Sequence, residues 1–318
     1  MKPRDKQHAN LLLQWDSPAT KAFPPRARPR YAPAGLLLVW LVAVPCAVGF
    51  AQTAAVSVST PKTISATLGN PHFKQVLASG HRGAPAHAPE NTLPSFEKAL
   101  ELGADIIEID VRYTRDGQFV IFHDDTLTRL TGQAGTIEER TLAEVGQLEI
   151  RMAEFPTFPP LKIATLEEAV NYLRHRAIIY LDHKTGPVAR LAEEVVRLKA
   201  TDHAYIVVRT PQAAREARAV SPELHLMAAI TDKEPASLID FFLPARPTLF
   251  ELPRAYLTPE NVERLRPQGI RIFTNAMETE PDRPYTTYQD LLYRGADVIQ
   301  TDHLEHLVPY LRAFNATR

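Results

Sequence analysis

Two histidines, one arginine and two acids lie close together in this 318-residue chain. His81 and Arg82 follow one apolar run, Glu108 and Asp110 lie within a second, and His123 follows a third. Imidazole titrates near neutral pH, so the two histidines could act as a general acid and a general base. These groups together could hold a divalent cation, bind a phosphate group and transfer two protons.

The two acids are the strongest indication of a metal site. Side chains two residues apart on a strand point to the same face, so Glu108 and Asp110 are expected to lie side by side. Buried carboxylates in that position repel each other and lose hydration, and a divalent cation with oxygen ligands offsets both effects. The alternative is that they face solvent or pair with arginines. Apolar residues at 106, 107, 109 and 111 argue against a solvated face.

Further charged residues extend this candidate site. Asp182 ends another apolar run and Lys184 follows it by two residues, so the pair shares a face. Asp182 could be a third metal ligand and Lys184 a phosphate contact, and the alternative is a local ion pair between them. Arg82 could bind phosphate oxygens in a bidentate fork, or could instead pair with Glu90.

Short apolar runs alternate with amphipathic stretches from residue 76 onward. The runs are not strictly alternating, which is typical of parallel strands buried on both faces. Repeated strand–helix units predict a single-domain α/β protein, a TIM-type (β/α)8 barrel, and no Gly-x-Gly-x-x-Gly motif supports a dinucleotide fold. The predicted strands are 76–80, 105–111, 119–122, 177–181, 205–208, 224–230, 248–252, 270–273 and 297–301. The predicted helices are 92–102, 165–174, 188–198, 211–220, 259–266 and 288–293.

Nine predicted strands are one too many for an eight-stranded barrel. The segment between Asp110 and Phe119 is also too short for a crossover helix. One run is therefore expected to be peripheral, or this region forms a ribbon. Residues 125–165 form a long insert with little strand pattern, and such a loop over a barrel mouth is usually functional.

The first fifty residues resemble a secretory leader. A basic, proline-rich stretch precedes an uncharged apolar run, Gly35–Phe50, that is shorter than the roughly 20 residues a spanning helix needs. We expect a leader over 1–51, a flexible lead-in over 52–70 and the barrel over 71–318. The protein is then exported to the periplasm or secreted, without stable membrane insertion. The alternative is a membrane anchor formed by an uncleaved leader.

Composition narrows the range of partners. The formal net charge is −1, which gives no indication of a nucleic-acid partner. The only cysteine, Cys46, lies in the predicted leader, so disulfides are not expected in the exported part.

The chain resembles the glycerophosphodiester phosphodiesterase family over about residues 76–312. The most specific block contains His-Arg-Gly, Pro-Glu-Asn-Thr, the segment Gly-Ala-Asp-Ile-Ile-Glu-Ile-Asp-Val and the segment Phe-His-Asp-Asp-Thr-Leu-Thr-Arg. The resemblance continues at 165–169 and 181–184 and closes at 257–260, 269–273 and 295–302.

This resemblance implies a TIM-type barrel that hydrolyses glycerophosphodiesters to glycerol 3-phosphate and an alcohol, with a small-molecule phosphodiester as its partner. It implies one divalent cation, Ca²⁺ or Mg²⁺. The site residues it implies are His81 and His123 as acid and base, Glu108, Asp110 and Asp182 as metal ligands, and Arg82 and Lys184 as phosphate ligands.

Two departures from the family pattern concern the substrate and the cation. The third ligand is commonly glutamate in the family, whereas this chain has the shorter Asp182. A late Trp-Thr-Val-Asn signature is replaced by Phe-Thr-Asn-Ala at 273–276, which removes an indole expected to line the alcohol pocket. The same site could therefore act on a lysophospholipid, a sphingolipid or a sugar phosphodiester. A non-catalytic protein that binds phosphodiesters is a further alternative, and the retained histidine pair argues against it.

Overall fold

The computed structural model describes residues 62–277 and 284–317. Eight parallel strands form a closed barrel in the order β1-β9-β8-β7-β6-β5-β4-β2, and the pairing of β1 with β2 completes the ring. The nine strands of the described residues are β1 (Leu77–Gly80), β2 (Ile106–Tyr113), β3 (Phe119–Ile121), β4 (Ile178–His183), β5 (Ala204–Val208), β6 (His225–Ala229), β7 (Leu249–Glu251), β8 (Arg271–Asn275) and β9 (Val298–Thr301).

Helices follow the barrel strands in the order expected of a (β/α)8 barrel. They are α1 (Leu93–Leu102), α2 (Thr128–Thr131), α3 (Leu142–Val145), α4 (Leu166–Leu173), α5 (Val188–Arg197), α6 (Pro211–Val220), α7 (Ile239–Phe242), α8 (Pro259–Leu265), α9 (Pro284–Arg294) and α10 (Leu304–Asn315). Short 3-10 turns lie at Ala236–Leu238, Leu243–Ala245, Arg254–Tyr256 and Arg266–Gln268. The predicted TIM-type barrel is therefore confirmed. Within the described residues, no helix has the length and apolar character that a bilayer crossing requires.

The capping residues explain where two helices begin. The Thr92 side chain accepts a hydrogen bond from the backbone N–H of Ser95, and α1 ends at Gly103 with φ of 94°. At α4 the Thr165 side chain and Glu168 form the predicted capping box.

The strand that does not fit the barrel is β3. It pairs antiparallel with the end of β2, with Val111 opposite Ile121 and Tyr113 opposite Phe119. This antiparallel pair is the ribbon, one of the two alternatives predicted for the segment between Asp110 and Phe119. The insert after β3 is not a bare loop, because it contains α2 and α3 and its own buried apolar cluster, which includes Phe122, Leu130 and Val145.

Two apolar layers stabilise the barrel. One lies between the sheet and its helices, and the other fills the interior with alternate strand residues such as Ile106, Tyr180 and Phe273. Ile64 and Leu68 join the interior layer and are 0% and 3% exposed. These two residues of the predicted lead-in, 52–70, therefore pack in the folded core. The expected leader, 1–51, lies outside the described residues.

Candidate active site

Polar side chains occupy the inner faces of the barrel strands near their carboxyl ends. On β2, Ile106 packs in the apolar interior, and the alternate residues Glu108, Asp110 and Arg112 continue the same face toward the mouth. The carboxyl ends of the strands are where TIM barrels carry their sites, because the following loops meet there.

The structure brings the three predicted metal ligands together. Asp110 and Asp182 are register partners on β2 and β4, and Glu108 lies one inward-facing position earlier on β2. One oxygen from each carboxylate lies within 4.8 Å of the others. The three residues are 2%, 1% and 7% exposed, so the cluster is shielded from water.

Two predicted phosphate ligands and one further cation surround these acids. Lys184 Nζ lies 3.0 Å from Asp110 Oδ1 and 2.7 Å from Asp182 Oδ2. Arg209, on the segment after β5, places Nη2 2.7 Å from Asp182 Oδ1. Arg82 Nε lies 3.5 Å from Asp110 Oδ2, and its backbone N–H donates to Glu108 Oε2 at 2.7 Å. The ion pairs considered as alternatives to ligand binding are both present in the structure. Lys184 pairs with Asp182, and Arg82 Nη1 lies 2.9 Å from Glu90 Oε1.

The acids differ in their affinity for protons. Burial, and then the nearby Asp110 and Asp182, raise the pKa of Glu108 well above its usual value. Burial also raises the pKa of Asp110, but Lys184, His123 and Arg82 outweigh it and leave that pKa lowered. Burial lowers the pKa of Lys184, and Asp110 and Asp182 more than reverse this effect. Positive charge is therefore strongly favoured beside the two aspartates.

The donor set fits a hard divalent cation. All three candidate ligands are carboxylates, the group that Ca²⁺ and Mg²⁺ prefer. Asp110 Oδ1 and Asp182 Oδ1 are buried and make no hydrogen bond of good geometry within the described residues, although Lys184 and Arg209 lie at ion-pair distance. Two buried anionic oxygens without hydrogen bonds are what a cation ligand requires.

His81 is held by a carboxylate at the barrel mouth. Its Nδ1 lies 2.8 Å from Asp302 Oδ1, and its backbone N–H donates to the Thr301 carbonyl oxygen at 3.2 Å. With the proton placed on Nδ1, where the carboxylate accepts it, Nε2 is the nitrogen left for a substrate. The His81 side chain is 20% exposed, so a small molecule can reach it.

His123 is held by a neighbouring carboxylate in the same way. Its Nδ1 lies 2.8 Å from Asp124 Oδ1. Hydrogen bonds from Arg129 lower the pKa of Asp124 to about 2, so this acid is ionised at neutral pH. The Arg112 guanidinium fixes the backbone of His123 by donating to its carbonyl oxygen from Nε at 3.2 Å and from Nη2 at 2.9 Å.

Glu90 and Asn91 connect the β1–α1 loop to the site. Glu90 accepts hydrogen bonds from Arg129 and from Arg82, at 2.7 and 2.9 Å to Oε1. Asn91 donates to Asp110 Oδ2 at 2.6 Å and accepts from the Asp110 backbone N–H at 3.2 Å. This loop therefore fixes the positions of one arginine and one metal-ligand candidate.

Sequence reasoning missed a second group of polar residues at the mouth. Glu251 accepts from Asn275 Nδ2 at 2.5 Å, and Gln300 donates to Asn275 Oδ1 at 3.0 Å. Burial raises the pKa of Glu251 to about 7. Arg209, which binds Asp182, belongs to this group. Each residue follows an interior apolar residue by two positions, so the two-residue period of the strands could have found them.

Segment 273–276, which replaces the family's Trp-Thr-Val-Asn signature, lies partly below these polar side chains. Phe273 is fully buried in the barrel interior, where its ring meets Tyr180 edge-on at a centroid distance of 5.4 Å. Asn275 is the member of that segment that reaches the polar layer.

Comparisons with known proteins agree with this geometry. The model described as the Glycerophosphoryl diester phosphodiesterase family matches residues 81–267, which contain every catalytic, phosphate-binding and metal-binding residue that the sequence predicts. A glycerophosphodiester phosphodiesterase of Caldanaerobacter subterraneus subsp. tengcongensis is 27% identical over 248 residues, covering 75% of this chain and 98% of the relative.

Solved structures share the fold. The crystal structure of a glycerophosphodiester phosphodiesterase from Agrobacterium tumefaciens has a TM-score of 0.63 and 25% identity, over 72% of this chain and 97% of that chain. A glycerophosphoryl diester phosphodiesterase from Parabacteroides distasonis has a TM-score of 0.68 and 22% identity, over 80% and 94% of the respective chains.

Proposed function

The chain belongs to the glycerophosphoryl diester phosphodiesterase family, and from that membership we propose that its barrel mouth performs metal-assisted acid–base hydrolysis of glycerophosphodiesters. The products are glycerol 3-phosphate and an alcohol. The observation that carries this proposal is the pair of carboxylate-held imidazoles, His81 and His123, beside the buried cluster Glu108, Asp110 and Asp182.

The two imidazoles transfer the protons. One accepts the proton of a glycerol hydroxyl as that hydroxyl attacks phosphorus, and the other protonates the leaving alkoxide. A cyclic phosphate forms and is then hydrolysed. Asp302 and Asp124 keep His81 and His123 oriented through Nδ1, so each presents Nε2 to the reacting groups.

The basic residues bind the phosphate. Arg82 Nε is buried and makes no hydrogen bond of good geometry within the described residues, so it has a donor to offer a phosphate oxygen. Lys184 supplies a second positive charge beside the same carboxylates. A cation, Ca²⁺ or Mg²⁺, held by Glu108, Asp110 and Asp182 would lower the pKa of the attacking hydroxyl and offset the charge on phosphorus.

Histidine variants test the proposal. We expect His81→Ala and His123→Ala each to lower the release of glycerol 3-phosphate from glycerophosphocholine by about 10²–10⁴-fold, because each removes one proton transfer. The exposed His72 provides a matched control, His72→Ala, which should retain full activity. Circular dichroism should show an unchanged fold in all three variants. Near-normal turnover by either site variant would refute the assignment.

A cavity in the insert after β3 favours a second candidate substrate. A cavity of about 150 Å³ is lined by Phe155, Phe158, Met152 and Pro89, among others. One lining residue, Pro89, directly precedes Glu90, which binds the proposed phosphate ligand Arg82. The cavity's phenylalanine, methionine and proline side chains could contact the alkyl part of an amphiphilic phosphodiester such as a lysophospholipid. The ratio of kcat/KM for lysophosphatidylcholine to that for glycerophosphocholine separates the two substrate classes.

The leader sequence supports export as a separate proposal. A protein made with residues 1–51 should appear in the periplasmic or culture fraction as a shorter product, whereas an uncleaved anchor would keep the full chain in the membrane fraction. N-terminal sequencing of the product would locate the cleavage.

A further inference from the structure

Three imidazoles meet one carboxylate at the start of α10. His303 directly precedes the helix, and Glu305 and His306 lie in its first turn. His303 Nδ1 is 3.0 Å and His306 Nε2 is 3.9 Å from Glu305 Oε1. His87, from the loop between β1 and α1, places its Nε2 2.9 Å from the other oxygen, Oε2. The proposed hydrolysis uses none of these four residues.

The spacing of these atoms suits a metal ion. The ligand atoms of His303, Glu305 and His306 all lie within 4.8 Å of one another. In a tetrahedral zinc site with bonds of about 2.0–2.1 Å, neighbouring ligand atoms are about 3.3 Å apart. Glu305 Oε1 lies 3.0 Å from His303 Nδ1 and 3.9 Å from His306 Nε2, on either side of that value. Small side-chain rotations would therefore bring these ligand atoms to tetrahedral spacing.

The chemistry of the donors differs from that of the barrel mouth. The cluster Glu108, Asp110 and Asp182 offers carboxylate oxygens, which suit Ca²⁺ and Mg²⁺, whereas two imidazole nitrogens and one carboxylate suit zinc and neighbouring transition metals. The side chains of His303, His306 and Glu305 are 46%, 43% and 28% exposed, so an ion can enter from solvent and water can complete its coordination.

We propose that His303 Nδ1, Glu305 Oε1 and His306 Nε2 form a second metal site, selective for Zn²⁺ over Ca²⁺, with His87 holding the carboxylate through Oε2. A hydrogen bond to the second oxygen of a ligating carboxylate is the usual outer-shell support of a metal site. This link also ties the loop that carries Glu90 to α10. The site does not depend on the proposed hydrolytic function.

Zinc titration of tag-free, chelator-stripped full-length protein tests the proposal. The Asp110→Asn variant disables the carboxylate cluster at the mouth, and calorimetry should still find one equivalent of Zn²⁺ bound. In the Asp110→Asn background, the His303→Ala/His306→Ala double variant should lose this binding, and His87→Gln should weaken it by roughly 10–100-fold. The exposed His72 gives the control variant, His72→Ala, with unchanged affinity.

Co²⁺ provides a readout of the ligands themselves. Intense visible d–d bands should appear in the Asp110→Asn protein and disappear in the double variant, and Ca²⁺ should give no heat in either. Thermal melting without metal verifies that each variant is folded. The proposal is overturned if the double variant retains the zinc equivalent, if the Asp110→Asn protein lacks it, or if Ca²⁺ competes for it. All of these outcomes concern zinc binding, whereas the hydrolytic function is tested separately, by the release of glycerol 3-phosphate from protein with an intact carboxylate cluster.

Discussion

At the scale of single residues, each proposed catalytic histidine depends on a neighbouring acid. Asp302 lies 2.8 Å from Nδ1 of His81, and Asp124 lies 2.8 Å from Nδ1 of His123. A carboxylate in that position selects the tautomer and orients the ring. Asp302 follows β9 by one residue, so its place beside His81 depends on the closure of the barrel between β9 and β1.

Asp302 is accordingly expected to be a positioning residue. We expect Asp302→Asn to lower kcat by on the order of 10²-fold, because a misoriented His81 no longer meets the reacting groups. KM should change little, since the proposed phosphate ligands, Arg82 and Lys184, remain. A steady-state measurement across pH should also show an altered profile of kcat/KM.

The exposed Asp232 supplies the control for this experiment. Asp232→Asn makes the same chemical change away from the site and should leave kcat unaffected. If Asp302→Asn matched this control in both kcat and pH profile, the role of the Asp302–His81 contact in catalysis would be disproved.

The acids at the mouth predict a pH-dependent affinity for Ca²⁺. Burial, Asp110 and Asp182 raise the pKa of Glu108, so protons compete with the cation and affinity should increase as the pH rises. At a concentration 100 times the Kd, a bound cation stabilises the folded protein by about 2.7 kcal/mol. Thermal melting with Ca²⁺ or EDTA should therefore give a larger rise in Tm at pH 7.5 than at pH 5.5.

Two variants show whether this stabilisation comes from the cluster. Asp110→Asn should abolish the rise in Tm at both pH values, and Asp232→Asn should preserve it. An equal rise at both pH values would contradict the role of Glu108, and a full rise in Asp110→Asn would place the ion elsewhere.

At the scale of elements, the turn between β1 and α1 is the tightest part of the site. Gly83 has φ of 90°, and a Cβ added there would lie 2.8 Å from the carbonyl carbon of Ser95 in α1. The Ser95 hydroxyl also holds this turn, donating to the Arg82 carbonyl oxygen at 3.0 Å and accepting from the Ala84 N–H at 2.8 Å. The position of Arg82 therefore depends on close contact between the turn and the helix.

Gly83→Ala should disturb this contact. We expect it to lower the free energy of unfolding by more than the strain of a positive φ alone, which is of order 1–3 kcal/mol, and to lower turnover because Arg82 and Glu90 move. Gly269→Ala is a matched control, since Gly269 has φ of 77° with no atom within 4 Å of an added Cβ. Equal losses of stability in urea denaturation of the two variants would exclude a role for the close approach.

Capping residues explain which helix ends could be predicted from the sequence. Thr92 and Gly103 mark the ends of α1, and Thr165 with Glu168 marks the start of α4, because capping uses side chains next to the helix. The helices of the insert, α2 and α3, were not predicted, since four residues are too few to show a helical period of apolar residues.

At the scale of the whole molecule, the segment before β1 closes one end of the barrel. Ile64 and Leu68 pack into the interior cluster, and the Arg271 guanidinium donates to the carbonyl oxygens of Leu68, Asn70 and Phe73 at 3.3, 2.6 and 2.9 Å. The segment therefore supports the same interior whose other end carries the carboxylates.

Removing one of these apolar side chains should destabilise the whole fold. Ile64→Ala is expected to lower the free energy of unfolding by about 2–5 kcal/mol, the usual effect of a large-to-small change at a buried site. Val196, which is 41% exposed on α5, provides a control variant, Val196→Ala, expected to stay within about 0.5 kcal/mol of the parent. Urea unfolding measures both, and similar small losses would mean that the segment does not support the core.

Local sequence patterns were sufficient to predict the barrel class and the residue types of the candidate site. Apolar runs and capping residues are local signals, and the carboxylates and histidines lie within those runs or directly after them, so neighbouring residues were sufficient to find them. The groups that meet across the barrel are known only from the fold: Asp182 lies beside Asp110, Asp302 beside His81, and Arg209 beside Asp182. These pairs join residues far apart in the chain, and their distances are set by barrel closure and strand register, which no local pattern encodes.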